Sequence, residues 1–159
     1  LAGLAAVAVL TIVFVSPLCA LASALFAARG LHHLVMAALA APLLAIAFPA
    51  GRPSGVAAPL GLSSLALWLW HWPALYEALY RDGGLYWLMQ VFLLSSFVWF
   101  WRNVMSARTT PVTALLAIAA GAGQMGLLGA LLTLAPTPLY PVHAAGALLW
   151  GLDPLQDQQ

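Results

Sequence analysis

Apolar residues run along this chain in five long blocks, near residues 1–18, 30–48, 60–80, 84–102 and 111–135. Most approach the roughly 20 residues that cross the hydrocarbon core of a bilayer. The breaks between them, "SPLC", "FPAGRPSG", "RDGG" and "RNVMSARTTP", collect the Pro, Gly, Asp and Arg that the blocks mostly avoid. Hydrocarbon gives backbone N–H and C=O groups no outside partner, and no block alternates as a strand does, so each is expected to be helical. The pattern therefore predicts an all-α, polytopic transmembrane bundle of about five spanning helices, forming a single domain over residues 1–159. The chain opens at Leu1 and ends in "DPLQDQQ", so further helices are expected beyond both ends.

Composition sharpens this picture. Only 6% of residues are charged, against roughly a quarter in a soluble domain. A net charge of +1 supplies no basic stripe, which excludes nucleic acid as a partner and leaves membrane lipid as the solvent. The opening block lacks the positive flank of a signal peptide and is expected to stay as a first helix. Cys19 is the sole cysteine, so no intramolecular disulfide can form. With a cytoplasmic N-terminus, Arg52, Arg102 and Arg108 fall on the cytoplasmic side, and Arg29 and Arg81 fall on the other with Glu77 and Asp82. This is a weak positive-inside bias.

In that orientation the polar residues inside the blocks gather in one leaflet. His32 and His33 open the second block, His71 lies in the outer half of the third, and Tyr86 and Gln90 open the fourth. At 1.5 Å per residue, His33, Gln90 and His71 lie roughly 5, 9 and 14 Å in. Ionisable residues at such depths usually face the bundle interior and mark a site. The expectation is an outward-facing polar chamber, its candidate lining completed by Glu77, Gln124 and Met125.

Each of these residues also has a purely structural reading. His71 sits two residues before Pro73, which cannot donate to the carbonyl of Leu69, so a kink is expected there and the imidazole could serve the opened turn. Trp68, Trp70 and Trp72 read as packing against lipid and neighbouring helices. His32 and His33 point about 100° apart, so only one easily faces the interior. His33 and Met36 share a face and together offer imidazole and thioether, a pair that suits soft Cu(I). Ala122, Gly126 and Ala130 form a small-residue ridge of the kind that packs helices.

The ordered patches "SPL", "HHLVMAALAAPLL", "WLWHWPALYEALYR", "GLLGALLTLAPTPLYP" and "LWGLDPLQDQQ" resemble the CtaG-type cytochrome c oxidase assembly factors over nearly the whole chain. The resemblance implies a multi-pass protein of the bacterial cytoplasmic (inner) membrane, with its polar site toward the outer face. It implies a non-enzymatic role in assisting copper delivery to the copper B centre of a haem-copper oxidase. Subunit I of that oxidase, or other oxidase assembly proteins, would be its partners.

The family's second helix carries two histidines four apart; here the first position is Arg29, the second is His33, and His32 stands where a glutamine precedes it. The "WHxP" histidine is kept as His71. The family's His-x-x-Glu-His on the fourth helix is Tyr86, Met89 and Gln90 here, and the acid after "SPL" is Cys19. The candidate copper ligands are accordingly His33, His71, Met36 and Cys19. Two other readings stay open: a metal-free membrane scaffold that has lost the copper site, and a b-type cytochrome with His33 and His71 as haem ligands. Serines lie without a base and acid in register, so no hydrolase or transferase is expected.

Overall fold

The computed structural model describes residues 1–49 and 54–159, and among them every regular element is helical. Arg52, and with it part of the orientation argument, lies outside the described residues. The first apolar block forms α1 (Ala2–Val15) and α2 (Pro17–Ala24), bent by 46°. Pro17 lacks the N–H that would continue α1, and the Ser16 hydroxyl accepts from the Leu18 N–H to start α2.

The second block is a rod, Phe26–Ala47, made of α3 (Phe26–Val35), a π turn (Met36–Ala40) and α4 (Ala41–Ala47). The π turn leaves one carbonyl to be satisfied from another helix. In i→i+5 pairing the carbonyl of Ala37 would need the N–H of residue 42, which is proline. The indole of Trp101 takes that place, donating to the Ala37 carbonyl at 2.8 Å.

The third block splits. α5 (Ala57–Trp70) ends at His71, and α6 (Pro73–Leu79) begins with its proline in the first turn. The kink expected at Pro73 is thus a full break, closed by the Trp72 N–H donating to the Leu69 carbonyl. α7 (Gly83–Val104) starts on the Asp82 carboxylate, which accepts from the Gly84 and Leu85 N–H groups. α8 (Pro111–Thr133) starts on Thr110. Among the described residues, three helices are long and apolar enough to cross a membrane, Phe26–Ala47, Gly83–Val104 and Pro111–Thr133, or four if α1 and α2 form one bent span. The fifth expected span differs because Pro73 cuts it, leaving α5 only 14 residues.

α7 packs against α4, α5 and α8, while α1 lies on α4 and α2 on α3. α8 is the most outward-facing, with Val112, Leu115, Leu116, Leu127 and Leu131 exposed as lipid-facing residues should be. The ridge Ala122, Gly126 and Ala130 also faces outward, contrary to its expected role inside the bundle. Packing runs instead through Gly121, which lies against Phe100 and Leu60, and through the buried Leu128 and Leu132.

The chain after α8 folds back over the end of the bundle where α3 and α7 begin. It contains a 3-10 turn (Pro141–His143), α9 (Ala144–Leu149) and α10 (Pro154–Gln158). Asp157 and Gln158 are buried in this cap. The Asp157 carboxylate accepts from the Phe26 and Ala27 N–H groups at 2.7 and 3.2 Å. Gln158 accepts from the Leu139 N–H and donates to the Leu132 carbonyl at the end of α8.

Candidate functional site

α3 begins four residues before the expected start of the second helix, and this moves Arg29 from a connecting loop to the interior. Its side chain is fully buried. The guanidinium donates to the Tyr86 hydroxyl at 2.9 Å, lies 3.7 Å from the Met89 sulfur, and stands 4.8 Å from the Tyr86 ring centroid. Gln90 donates to the same hydroxyl at 3.0 Å. Arg29, Tyr86, Met89 and Gln90 therefore lie together. They form one polar network, joining α3 to α7.

His33 and Gln90 each lie seven residues inside their helices, about 10 Å from the capped end at 1.5 Å per residue, and both are buried. His33 and His71 meet, with ring centroids 5.6 Å apart. They share an open cleft of about 170 Å³ with Met125, walled by Phe26, Leu67, Leu128 and Leu132. The break at Pro73 is what brings His71 there. Its Nδ1 lies 2.7 Å from the Leu67 carbonyl; a carbonyl only accepts, so Nδ1 holds the proton and Nε2 keeps a free lone pair. Both ring nitrogens of His33 are buried without a hydrogen-bond partner.

The other expected site residues are dispersed. His32 faces α1, edge-on to Phe14 at 5.4 Å, and its ring centroid is 5.7 Å from that of His33. Met36 packs with Trp70, Met89 and Leu93 in an apolar cluster. Cys19, on α2, is not among the residues lining the cleft. Gln124 accepts from the Trp68 indole at 2.7 Å, tying α8 to α5. Glu77 turns to the cap, accepting from the Val142 N–H and pairing loosely with Arg81 at 3.8 Å. No group of three His, Cys, Asp or Glu side chains among the described residues could hold a metal ion.

Sequence reasoning overlooked the cap's polar centre. His143 Nε2 lies 2.7 Å from the Tyr76 hydroxyl and 3.2 Å from that of Tyr80. Tyr140 donates to the carbonyl of His71 at 2.7 Å, satisfying the group that the end of α5 leaves free. Burial, the largest influence, pushes the His143 imidazole below its ordinary pKa and keeps it neutral between these hydroxyls. The signal available was in the patches "LYP" and "PLQDQQ", whose polar residues have no place on a lipid-facing helix. They close the end of the bundle at which α3 and α7 begin.

The family model of the cytochrome c oxidase caa3 assembly factors (Caa3_CtaG) matches residues 54–159. That range holds His71, the Tyr86–Gln90 face and the whole cap; α3, with Arg29, His32 and His33, lies before it. No curated relative and no solved structure matches the chain. Since the match spans well over half of the residues and includes the capping motifs just described, the chain is a membrane-embedded member of the cytochrome c oxidase caa3 assembly factor family.

Proposed function

We propose that this protein assists copper delivery to the copper B centre of a haem-copper oxidase, with subunit I or another assembly protein as its partner. The observation that carries the reading is the His33–His71 pair, with its free Nε2 lone pair on His71 and two unpartnered nitrogens on His33. With Met125 on the same cleft, the donors are few and soft, which suits Cu(I) better than divalent ions that require more ligands. The Leu67 carbonyl fixes the His71 ring and its tautomer, as second-shell acceptors do at metal sites. Copper here is cargo. A sparse donor set holds it loosely enough to pass on, and the cap limits access to the cleft from the end of the bundle. The cleft is also smaller than the roughly 300–1,000 Å³ of pockets that enclose drug-sized ligands, which favours a bare ion over a haem.

Under reducing conditions the detergent-purified protein is expected to bind about one equivalent of Cu(I). His71→Ala should weaken binding at least tenfold, about 1.4 kcal/mol. His32→Ala should change it far less, because His32 faces Phe14 and not the cleft. Rescue of oxidase activity by a protein that binds no copper would replace this reading with a metal-free scaffold. A Soret band lost on substitution of either histidine would replace it with a haem protein.

The cleft is proposed to face outward from the bacterial inner membrane. Arg102 and Arg108 lie at the opposite end from the cap and Arg81 lies beside it, which keeps the bias of positive charge toward the cytoplasm. Single cysteines at Ser54 and Gly83, in a variant lacking Cys19, test this. An impermeant thiol reagent applied to intact cells should label position 83 and spare position 54; the reverse result would invert the topology.

A further inference from the structure

A groove on the outside of the bundle runs between α4 and α7, and it has the outline of a lipid. It measures about 510 Å³, against about 170 Å³ for the histidine cleft. On α7 its floor is Val91, Leu94, Ser95, Val98, Trp99 and Arg102, spaced three and four apart as one helix face. Leu44 on α4 and Phe48 at the end of that helix form the opposite wall. Val91 and Phe48 are well exposed, so the groove is open to the surrounding hydrocarbon. Apart from Arg102, its polar side chains reduce to the Trp99 indole and Ser95, whose hydroxyl already donates to the Phe92 carbonyl at 3.1 Å.

Length and charge together define what would fill it. From Arg102 to Val91 the face extends about 16 Å at 1.5 Å per residue, close to half of the roughly 30 Å hydrocarbon core. The groove therefore covers one leaflet, with its cation near the end of α7. Trp99, three residues before Arg102, lies where aromatic rings mark the boundary between hydrocarbon and water. Arg102 does not extend freely from the surface. It donates through Nη2 to the Pro49 carbonyl at 3.0 Å, and its Nε is buried without a hydrogen-bond partner. The guanidinium is thus held at the mouth of the groove, and no acidic residue among the described ones lines it. Its remaining N–H donors suit a phosphate. A partner helix fits less well: helices that pack in lipid meet on small residues and are 10–12 Å across, whereas Leu44, Phe48, Val98 and Trp99 wall this groove.

We propose that the groove binds an anionic phospholipid of the surrounding bilayer, with its phosphate on Arg102 and an acyl chain along α7 toward Val91. The lipid bridges α4 and α7 at the end of the bundle away from the cap. The site is separate from the His33–His71 cleft and does not depend on copper.

The test titrates the full-length, detergent-purified protein with phosphatidylglycerol or with phosphatidylcholine of the same acyl chains, and counts bound lipid by native mass spectrometry. Phosphatidylglycerol should bind several-fold more tightly. Arg102→Gln should lower its affinity to that of phosphatidylcholine, while Arg108→Gln, which changes an exposed arginine outside the groove, should leave it unaltered. Ser95→Trp fills the groove from an exposed position and should weaken both lipids several-fold. A structure of the unaltered protein solved in nanodiscs containing phosphatidylglycerol should show a chain beside Val98 and a phosphate within hydrogen-bond distance of Arg102. This measurement stands even if a variant fails to fold. Equal affinity for the two lipids, equal effects of the two arginine changes, undiminished binding in Ser95→Trp, or a protein helix or no lipid in the groove would overturn the proposal.

Discussion

Asp157→Ala is expected to lower the stability of the detergent-solubilised protein by about 3 kcal/mol, since leaving a buried donor unpaired costs about 1–3 kcal/mol and a helix-terminal charge adds up to about 2. α3 has no side-chain cap of its own, because its N-cap residue is Leu25. Asp157, 131 residues away in sequence, accepts from the first N–H of the helix and places a negative charge at its positive end. Alanine removes both effects and strands two N–H groups at a buried junction. Asp157→Asn retains an oxygen acceptor and should cost only about 1 kcal/mol, the usual worth of one hydrogen bond. Because Phe26 is also a wall of the His33–His71 cleft, Asp157→Ala should further speed hydrogen exchange at the start of α3. Stability within about 0.5 kcal/mol of the parent, the usual range for an uninvolved site, would show that the cap does not hold this helix.

The second large effect is expected at Gly146, where α9 crosses α2. A Cβ added there would lie 2.0 Å from the carbonyl oxygen of Ala24 and 2.7 Å from its carbonyl carbon. Both are backbone atoms, so no rotamer change relieves the clash and α9 must lift. Gly146→Ala should cost about 3 kcal/mol or more, the upper end for over-packed sites. Gly126→Ala is the matched control. Nothing lies within 4 Å of the point its Cβ would occupy, and replacing a mid-helix glycine there should stabilise α8 by about 0.5–1 kcal/mol. Thermal unfolding of the two variants in one detergent checks the contrast. Equal responses would mean that α9 does not sit against α2 as described.

Much of this architecture was readable in advance because it follows from local constraints. Five apolar blocks without strand alternation leave helices as the available spanning structure, and Pro73 dictated an interruption beside His71 through its missing N–H. The similar depth of His33 and Gln90 followed from helix rise, but Gln90 turns to Tyr86 and does not join the cleft that His33 shares with His71. A start shifted by four residues, however, was enough to move Arg29 from an expected loop to a fully buried position. Helix ends are set by caps, and the acceptor that begins α3 comes from Asp157, which no local pattern around Phe26 reveals.

The sequence by itself determined the solvent, the helical class, the break at Pro73 and the pairing of His33 with His71 as candidates, since hydrophobicity and backbone chemistry act over neighbouring residues. Only the tertiary structure decided which partners each polar group has. It put Met125 on the histidine cleft and Met36 in an apolar cluster, turned Gln124 to Trp68 and Glu77 to the cap. It also joined Arg29 to Tyr86 and Gln90. The physical reason is that a buried polar atom must find its complement wherever the packed helices supply one, and that choice depends on rotations and crossings that sequence spacing leaves free.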